Sequence, residues 1–122
     1  MFFNQSENKA AYDSIKATIH ELYSLLNNRD DQSPELLDIL DVLGQVYQNI
    51  DDSKHPEALV NRLVNFIRST AIKGRLNFPK EQETLIINLS AIGQKASWNG
   101  NEYGDTSDKS QFYNWNAQIP RH

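Results

Sequence analysis

The sequence predicts an all-α protein: an antiparallel four-helix bundle with an aromatic-containing C-terminal tail packed back on it. Three observations predict it. Apolar residues recur at alternating steps of three and four along four separate stretches, which lines one face of a helix each time. Pro34, Pro56 and Pro79 each stand at the head of such a stretch, where a missing backbone N–H costs nothing. No run of β-branched residues alternates with period two, so no strand competes. With 122 residues, a single helical-bundle domain over 1–122 is expected.

The first helix, about 7–27, carries Tyr12, Ile15, Ile19, Leu22 and Leu26 as a narrow stripe. The turn formers of residues 27–32 end it. In the second helix, about 34–50, Ser33 is placed to cap the free N–H groups, and Glu35 and Asp38 sit early, where the helix dipole favours negative charge. Leu36, Ile39, Leu40, Leu43, Val46, Tyr47 and Ile50 give it a wide apolar face. Gly44 lies mid-helix at a cost of about 1 kcal/mol against alanine, which a close helix crossing would explain.

After a turn at 51–55, the third helix, about 56–73, buries Leu59, Val60, Leu63, Phe66, Ile67, Thr70 and Ala71. Gly74 is the expected left-handed residue that terminates it. Phe78 before Pro79 is biased to extended backbone, and the fourth helix, about 79–96, follows with Leu85, Ile86, Leu89, Ile92 and Ala96 as its stripe. Gly93 is expected to weaken its last turns.

The tail, 97–122, is rich in Asn, Asp, Gly and Ser, yet it holds Trp98, Tyr103, Phe112, Tyr113 and Trp115. Aromatics with a polar edge suit half-buried anchors and recognition surfaces alike. A tail folded back on the bundle, packed against the third and fourth helices, accounts for them. A partner-recognition surface accounts for them equally.

The composition narrows the chemistry. The chain has no cysteine, which removes disulfides, thiolate zinc sites and cysteine nucleophiles and fits a reducing compartment. The N-terminus lacks a basic region followed by an apolar run, and no stretch approaches the roughly 20 apolar residues of a membrane span. A cytoplasmic protein is expected. His20, His55 and His122 share no metal-ligand spacing, and Asp30–Asp31 and Asp51–Asp52 read as loop formers. Asn99, Asn101 and Gly104 imitate the start of a calcium loop, but Tyr103 and Ser110 stand at positions five and twelve, where carboxylate or amide ligands belong. Neither a phosphate loop nor a nucleophile elbow is present. No enzyme activity, metal or cofactor is expected.

Charge is unevenly divided. Residues 1–57 carry 11 acids and 4 bases, and residues 58–122 carry 5 acids and 8 bases. Arg62, Arg68, Lys73, Arg75 and Lys80 follow one another with no acid between them. They are either ordinary solvated helix faces or a surface for an anionic partner. The chain is acidic overall, so nucleic acid is not an expected partner.

The stretch LNFPKEQETLIINLSAIGQKASWNG, Leu76 to Gly100, resembles the link between the third and fourth helices of immunity proteins for pediocin-like (class IIa) bacteriocins. Leu76, Phe78, Glu81, the stripe Leu85 to Ile92, and Trp98 carry the resemblance; IHELYSLLNN and LLDILDVLGQVYQNI resemble the first two helices more loosely. The resemblance implies a non-enzymatic four-helix bundle in the cytosol of the producing bacterium, partly associated with the inner face of its membrane. It implies action on the membrane components of the mannose phosphotransferase system once bacteriocin is bound there. The C-terminal half would set which bacteriocin is countered. Pro79 departs from the small hydroxyl residue often found there, and the tail is divergent. A monomer is expected. The alternative is a small helical adaptor or regulatory protein that binds another protein.

Overall fold

The computed structural model describes residues 5–98, 108–114 and 116–122, with side chains placed from 9 to 95 and through the last two segments. Four helices run Gln5–Asn27 (α1), Pro34–Asn49 (α2), Pro56–Gly74 (α3) and Lys80–Trp98 (α4). Short 3-10 turns occupy Ile50–Asp52 and Lys109–Phe112, and no strand occurs among the described residues. The side chain of Trp98, together with Tyr103, Trp115 and the stretch Asn99 to Gly104, lies outside what is described.

Each helix touches two others: α1 packs on α2 and α4, and α3 packs on α2 and α4. Short connections make sequential neighbours antiparallel, so the four close into a square. Ile19, Leu22 and Leu26 of α1 meet Leu36, Ile39 and Leu43 of α2, Leu63 and Ile67 of α3, and Ile86 and Leu89 of α4 in one fully buried core. Burying each such side chain contributes about 1.5–3 kcal/mol.

Two α2 positions depart from the sequence pattern. Val42 is fully buried, because α2 packs against α1, α3 and the Lys109–Phe112 turn and has little free face left. Tyr47, expected inside, is 37% exposed.

The helix ends follow local chemistry. The Ser33 hydroxyl accepts from the Leu36 N–H at 3.2 Å, and Pro34 fills the first turn. The Pro79 carbonyl accepts from the Glu83 N–H at 2.9 Å and so starts α4 without a hydroxyl cap.

The glycines do different work from that expected. Gly74 is the last helical residue, and Arg75 adopts the left-handed conformation, with φ 54° and ψ 41°. A Cβ on Gly74 would stand 2.6 Å from Cβ of Glu35, so its missing side chain is used for the α2–α3 approach. The left-handed position passes to its neighbour. Gly93 brings α4 onto α3: a Cβ there would stand 2.7 Å from Asn61 Cα and 2.9 Å from its N. It is buried at a tight crossing. Gly44 has no such neighbour, since a Cβ would meet only Tyr23 Cε2, at 4.0 Å. A close crossing does not explain it.

Candidate functional site

The described part of the tail lies on α2 and reaches α3. Asp108 opens the Lys109–Phe112 turn by accepting from the Ser110 N–H at 2.9 Å. The turn drives Phe112 into the core, 6% exposed, with its ring edge-on to Phe66 of α3 at 5.5 Å and 78°. Its first residue, Lys109, is also only 6% exposed. The Lys109 ammonium donates to Asp38 Oδ1 at 2.9 Å, Asp41 Oδ2 at 3.0 Å and the Pro120 carbonyl at 2.6 Å. Asp38 and Asp41 stand three apart on α2, hence on one face, and converge on the charge. His122 closes the arrangement with Nε2 2.6 Å from Asp41 Oδ2.

The described part of the tail therefore folds back, as Phe112 and Tyr113 suggested, while the parts expected of Trp98, Tyr103 and Trp115 lie outside the described residues. Its main support is α2, with Phe66 of α3, where the third and fourth helices were expected. Tyr113 is half-buried beside this cluster. Burial pushes its hydroxyl above the usual pKa of 10.0, opposed by Lys109 and assisted by Asp41 and Asp38.

Asp38, Asp41 and His122 present ligand atoms within 4.8 Å of one another, a spacing that suits a cation. Lys109 supplies that cation in this structure. No local pattern announces the cluster, because 81 residues separate His122 from Asp41.

The five bases do not form one patch. Arg68 makes a two-pronged bridge across to Glu83 of α4 at 2.8 and 2.7 Å. This bridge raises the arginine's pKa and lowers the glutamate's, both first through the hydrogen bonds and against desolvation. Arg75 lines a shallow groove with Arg68 and Ile72, and Ile72 is 79% exposed. Lys73 lies on the other side of α3, in a polar pocket of about 400 Å³ that it shares with Glu35, Lys109 and Arg121. Lys80 is exposed at the head of α4, and Arg62 is half-buried on α3.

Arg29 is a further fixed charge that sequence reading passed over. Its guanidinium holds Asp31 at 2.7 and 2.6 Å and donates to the Asn77 carbonyl and to Gln82 Oε1, both at 2.8 Å. It also stands 5.9 Å from the centre of the Phe78 ring. The loop after α1 is thereby tied to the α3–α4 link, the stretch that carries the family resemblance. At the opposite end Lys16 of α1 pairs with Asp51 at 2.9 Å, and the Tyr12 hydroxyl donates to the Ser53 carbonyl at 3.1 Å.

The chain belongs to the bacteriocin immunity protein family, whose match covers residues 13–94. It is 49% identical over 107 residues to a probable leucocin-A immunity protein of Leuconostoc gelidum, over 88% of this chain and 94% of that one. It is 53% identical over 92 residues to a probable mesentericin-Y105 immunity protein of Leuconostoc mesenteroides, over 75% of this chain and 80% of that one. These relatives place it in the class IIa branch read from Leu76 to Gly100. No solved structure gives a significant match.

Proposed function

We propose that this immunity protein shields the producing bacterium from a class IIa bacteriocin by acting from the cytosol on the bacteriocin-bound membrane components of the mannose phosphotransferase system. It does so by binding, without catalysis or cofactor, as a monomer associated in part with the inner face of the membrane. The observation that carries this reading is the family match across α1 to α4, supported by two relatives named as immunity proteins. Among the described residues no helix is long and apolar enough to cross a membrane.

The roles of the surface follow. Arg62, Lys73, Arg75 and Lys80 meet an anionic leaflet or an acidic receptor face, while Arg68 is already engaged by Glu83. Phe112 anchors the tail. Tyr113 and the tail residues outside the described segments, Tyr103 and Trp115, together with the Trp98 side chain, are the candidates for recognition.

The test is expression in a sensitive strain that carries the mannose permease, challenged with a panel of class IIa bacteriocins. Protection against one or a few members is expected. A folded, expressed protein that protects against none, including the bacteriocin encoded beside its gene, sinks the reading.

A further inference from the structure

Two aliphatic side chains stand out from the bundle. Ile72 of α3 is 79% exposed and Ile87 of α4 is 53% exposed. The other large apolar side chains exposed among the described residues are Tyr23 and Tyr47, on α1 and α2. One exposed isoleucine is ordinary. These two share a face. Arg68 stands one turn before Ile72, Glu83 stands one turn before Ile87, and the Arg68–Glu83 bridge joins the helices at 2.8 and 2.7 Å. Ile72 and Glu83 also line the same shallow groove. Because α3 and α4 are antiparallel, the isoleucines lie on opposite sides of the bridge, about 12 Å apart along the helices. The close approach of Gly93 to Asn61 holds the two helices together at the far end.

The unpaired charges of this face have one sign. Lys80, Thr84, Ile87, Ala91 and Lys95 recur at steps of three and four and are all exposed. The outer side of α4 therefore carries a base at each end and Ile87 between them. Arg75 adds a third base beside Ile72 in the groove. None of the three makes an ion pair among the described residues, where the pairs engage Lys16, Arg29, Arg68, Lys109 and His122. Of the nearby acids, Glu83 is held by Arg68. Glu81 stands about 100° round α4 from Lys80, on the flank away from α3. Residues 1–57 hold 11 of the 16 acids, so the molecule is polarised and turns α3 and α4 toward an anionic surface.

We infer that the outer face of α3 and α4 is a lipid-binding surface. It lies on an anionic bilayer with Ile72 and Ile87 seated among the headgroups and Arg75, Lys80 and Lys95 on the lipid phosphates. Isoleucines split by an ionic bridge give a rigid partner no continuous apolar patch to seal against. A fluid headgroup layer makes room for each one separately. The inference deepens, and rests on, the reading above that brings the protein to the inner face of the membrane. Of the bases offered there it keeps Arg75 and Lys80 and adds Lys95. It sets aside Arg62 and Lys73, which lie on the other side of α3.

The probe is vesicles of phosphatidylcholine and phosphatidylglycerol in equal parts, with pure phosphatidylcholine vesicles as the control. The full chain should sediment with the anionic vesicles, and less so as salt rises. The chain has no cysteine, so Ile72→Cys, Ile87→Cys and Gln48→Cys each take a single environment-sensitive dye. On anionic vesicles the dye should brighten at the two isoleucine positions and stay dim at Gln48, which is exposed on α2. Unlabelled Ile72→Ser and Ile87→Ser should each weaken binding about tenfold, and Arg75→Gln and Lys80→Gln about fivefold each. All four side chains are exposed, so the variants keep the fold, which circular dichroism checks. Four outcomes overturn the proposal: no binding to anionic vesicles, equal binding to neutral ones, a dye that brightens at Gln48 and not at the isoleucines, or variants that bind like wild type.

The protection assay separates this inference from the reading beneath it. If wild type protects cells but ignores vesicles, the immunity function stands and the lipid surface falls. Loss of protection in the isoleucine variants would then assign the face to a protein partner. If wild type protects against nothing, the function reading falls and the vesicle measurements decide the surface alone.

Discussion

Lys109→Met tests the tail anchor directly. Methionine keeps the length and apolar stem of the side chain and removes the charge and its three hydrogen bonds. Removing one partner of a fully buried ion pair costs about 3–5 kcal/mol, because the other charge is left stranded. Here the stranded groups are Asp38 and Asp41, whose side chains remain 31% and 27% exposed. Water reaches both, and His122 stays beside Asp41. Pro120, whose carbonyl accepts the third bond, is likewise an exposed residue. Roughly half of the full penalty should survive, about 2 kcal/mol. For a chain of this size that is a fall in melting temperature of roughly 8 °C.

Urea denaturation gives the energy, and limited proteolysis of residues 108–122 gives the location. The tail of the variant should be cut faster than the bundle. Asp38→Asn in the Lys109→Met background should cost less than in wild type, because the carboxylate no longer has its partner. A loss below about 0.5 kcal/mol, with the tail as resistant as before, would refute the reasoning. It would mean that Phe112 on Phe66 holds the tail and that the charge cluster is incidental.

Three further outcomes are expected. Gly93→Ala should destabilise by about 2–3 kcal/mol, since the new methyl meets the Asn61 backbone, which cannot rotate away; a variant as stable as wild type in urea would show that α3 and α4 separate freely. Arg75→Gly should stabilise slightly, by less than about 1 kcal/mol, because relief of the left-handed strain outweighs the extra unfolded-state freedom of glycine; a clear loss would indicate that the arginine side chain makes a stabilising contact.

The Arg68 bridge holds Glu83 below its ordinary pKa of 4.5, so its contribution is complete above that pH and disappears as pH falls through the lowered value. Stability measured across this acid range should fall less steeply in Glu83→Gln than in wild type, and identical slopes would show that the bridge contributes nothing.

The helices were legible because their information is local. Ser33 before Pro34, Pro56 after a turn, and Leu and Ile at three- and four-residue steps name a helix wherever they occur. What sequence could not show depends on what comes from elsewhere in the chain. Gly74 looked like a helix terminator by position, but Glu35 of α2 decides its use. Gly93 reads in sequence only as a helix-weakening residue, and the close approach of Asn61 that it permits comes from α3. Val42 is buried and Tyr47 is not because the tail and two helices share the surface of α2 unequally.

The tail shows the same limit. Phe112 announces burial by its chemistry. Lys109 does not, since a lysine is almost never fully buried unless paired, and its partners lie 71 and 68 residues away. Among the basic residues, helical spacing sets Arg62 and Lys73 on one side of the inner face of α3 and Arg68 and Arg75 on the other; what sequence could not show is what each side meets, Glu83 of α4 for Arg68 and the tail for Lys73.

The Arg29 clamp bears on how such proteins recombine. Its guanidinium comes from the first half of the chain, while two of its acceptors, the Asn77 carbonyl and Gln82, belong to the second. A chimera that joins the front of one relative to the back of another inherits a donor from one parent and an acceptor side chain from the other. The Asn77 contact survives any such exchange, because a backbone carbonyl is common to every sequence. The Gln82 contact survives only if the incoming half also places an oxygen acceptor there; without one, a nearly buried guanidinium loses a partner. Hybrids that match at this one seam should yield well-folded protein, so that any change in the bacteriocin they resist reports on recognition and not on a loosened frame.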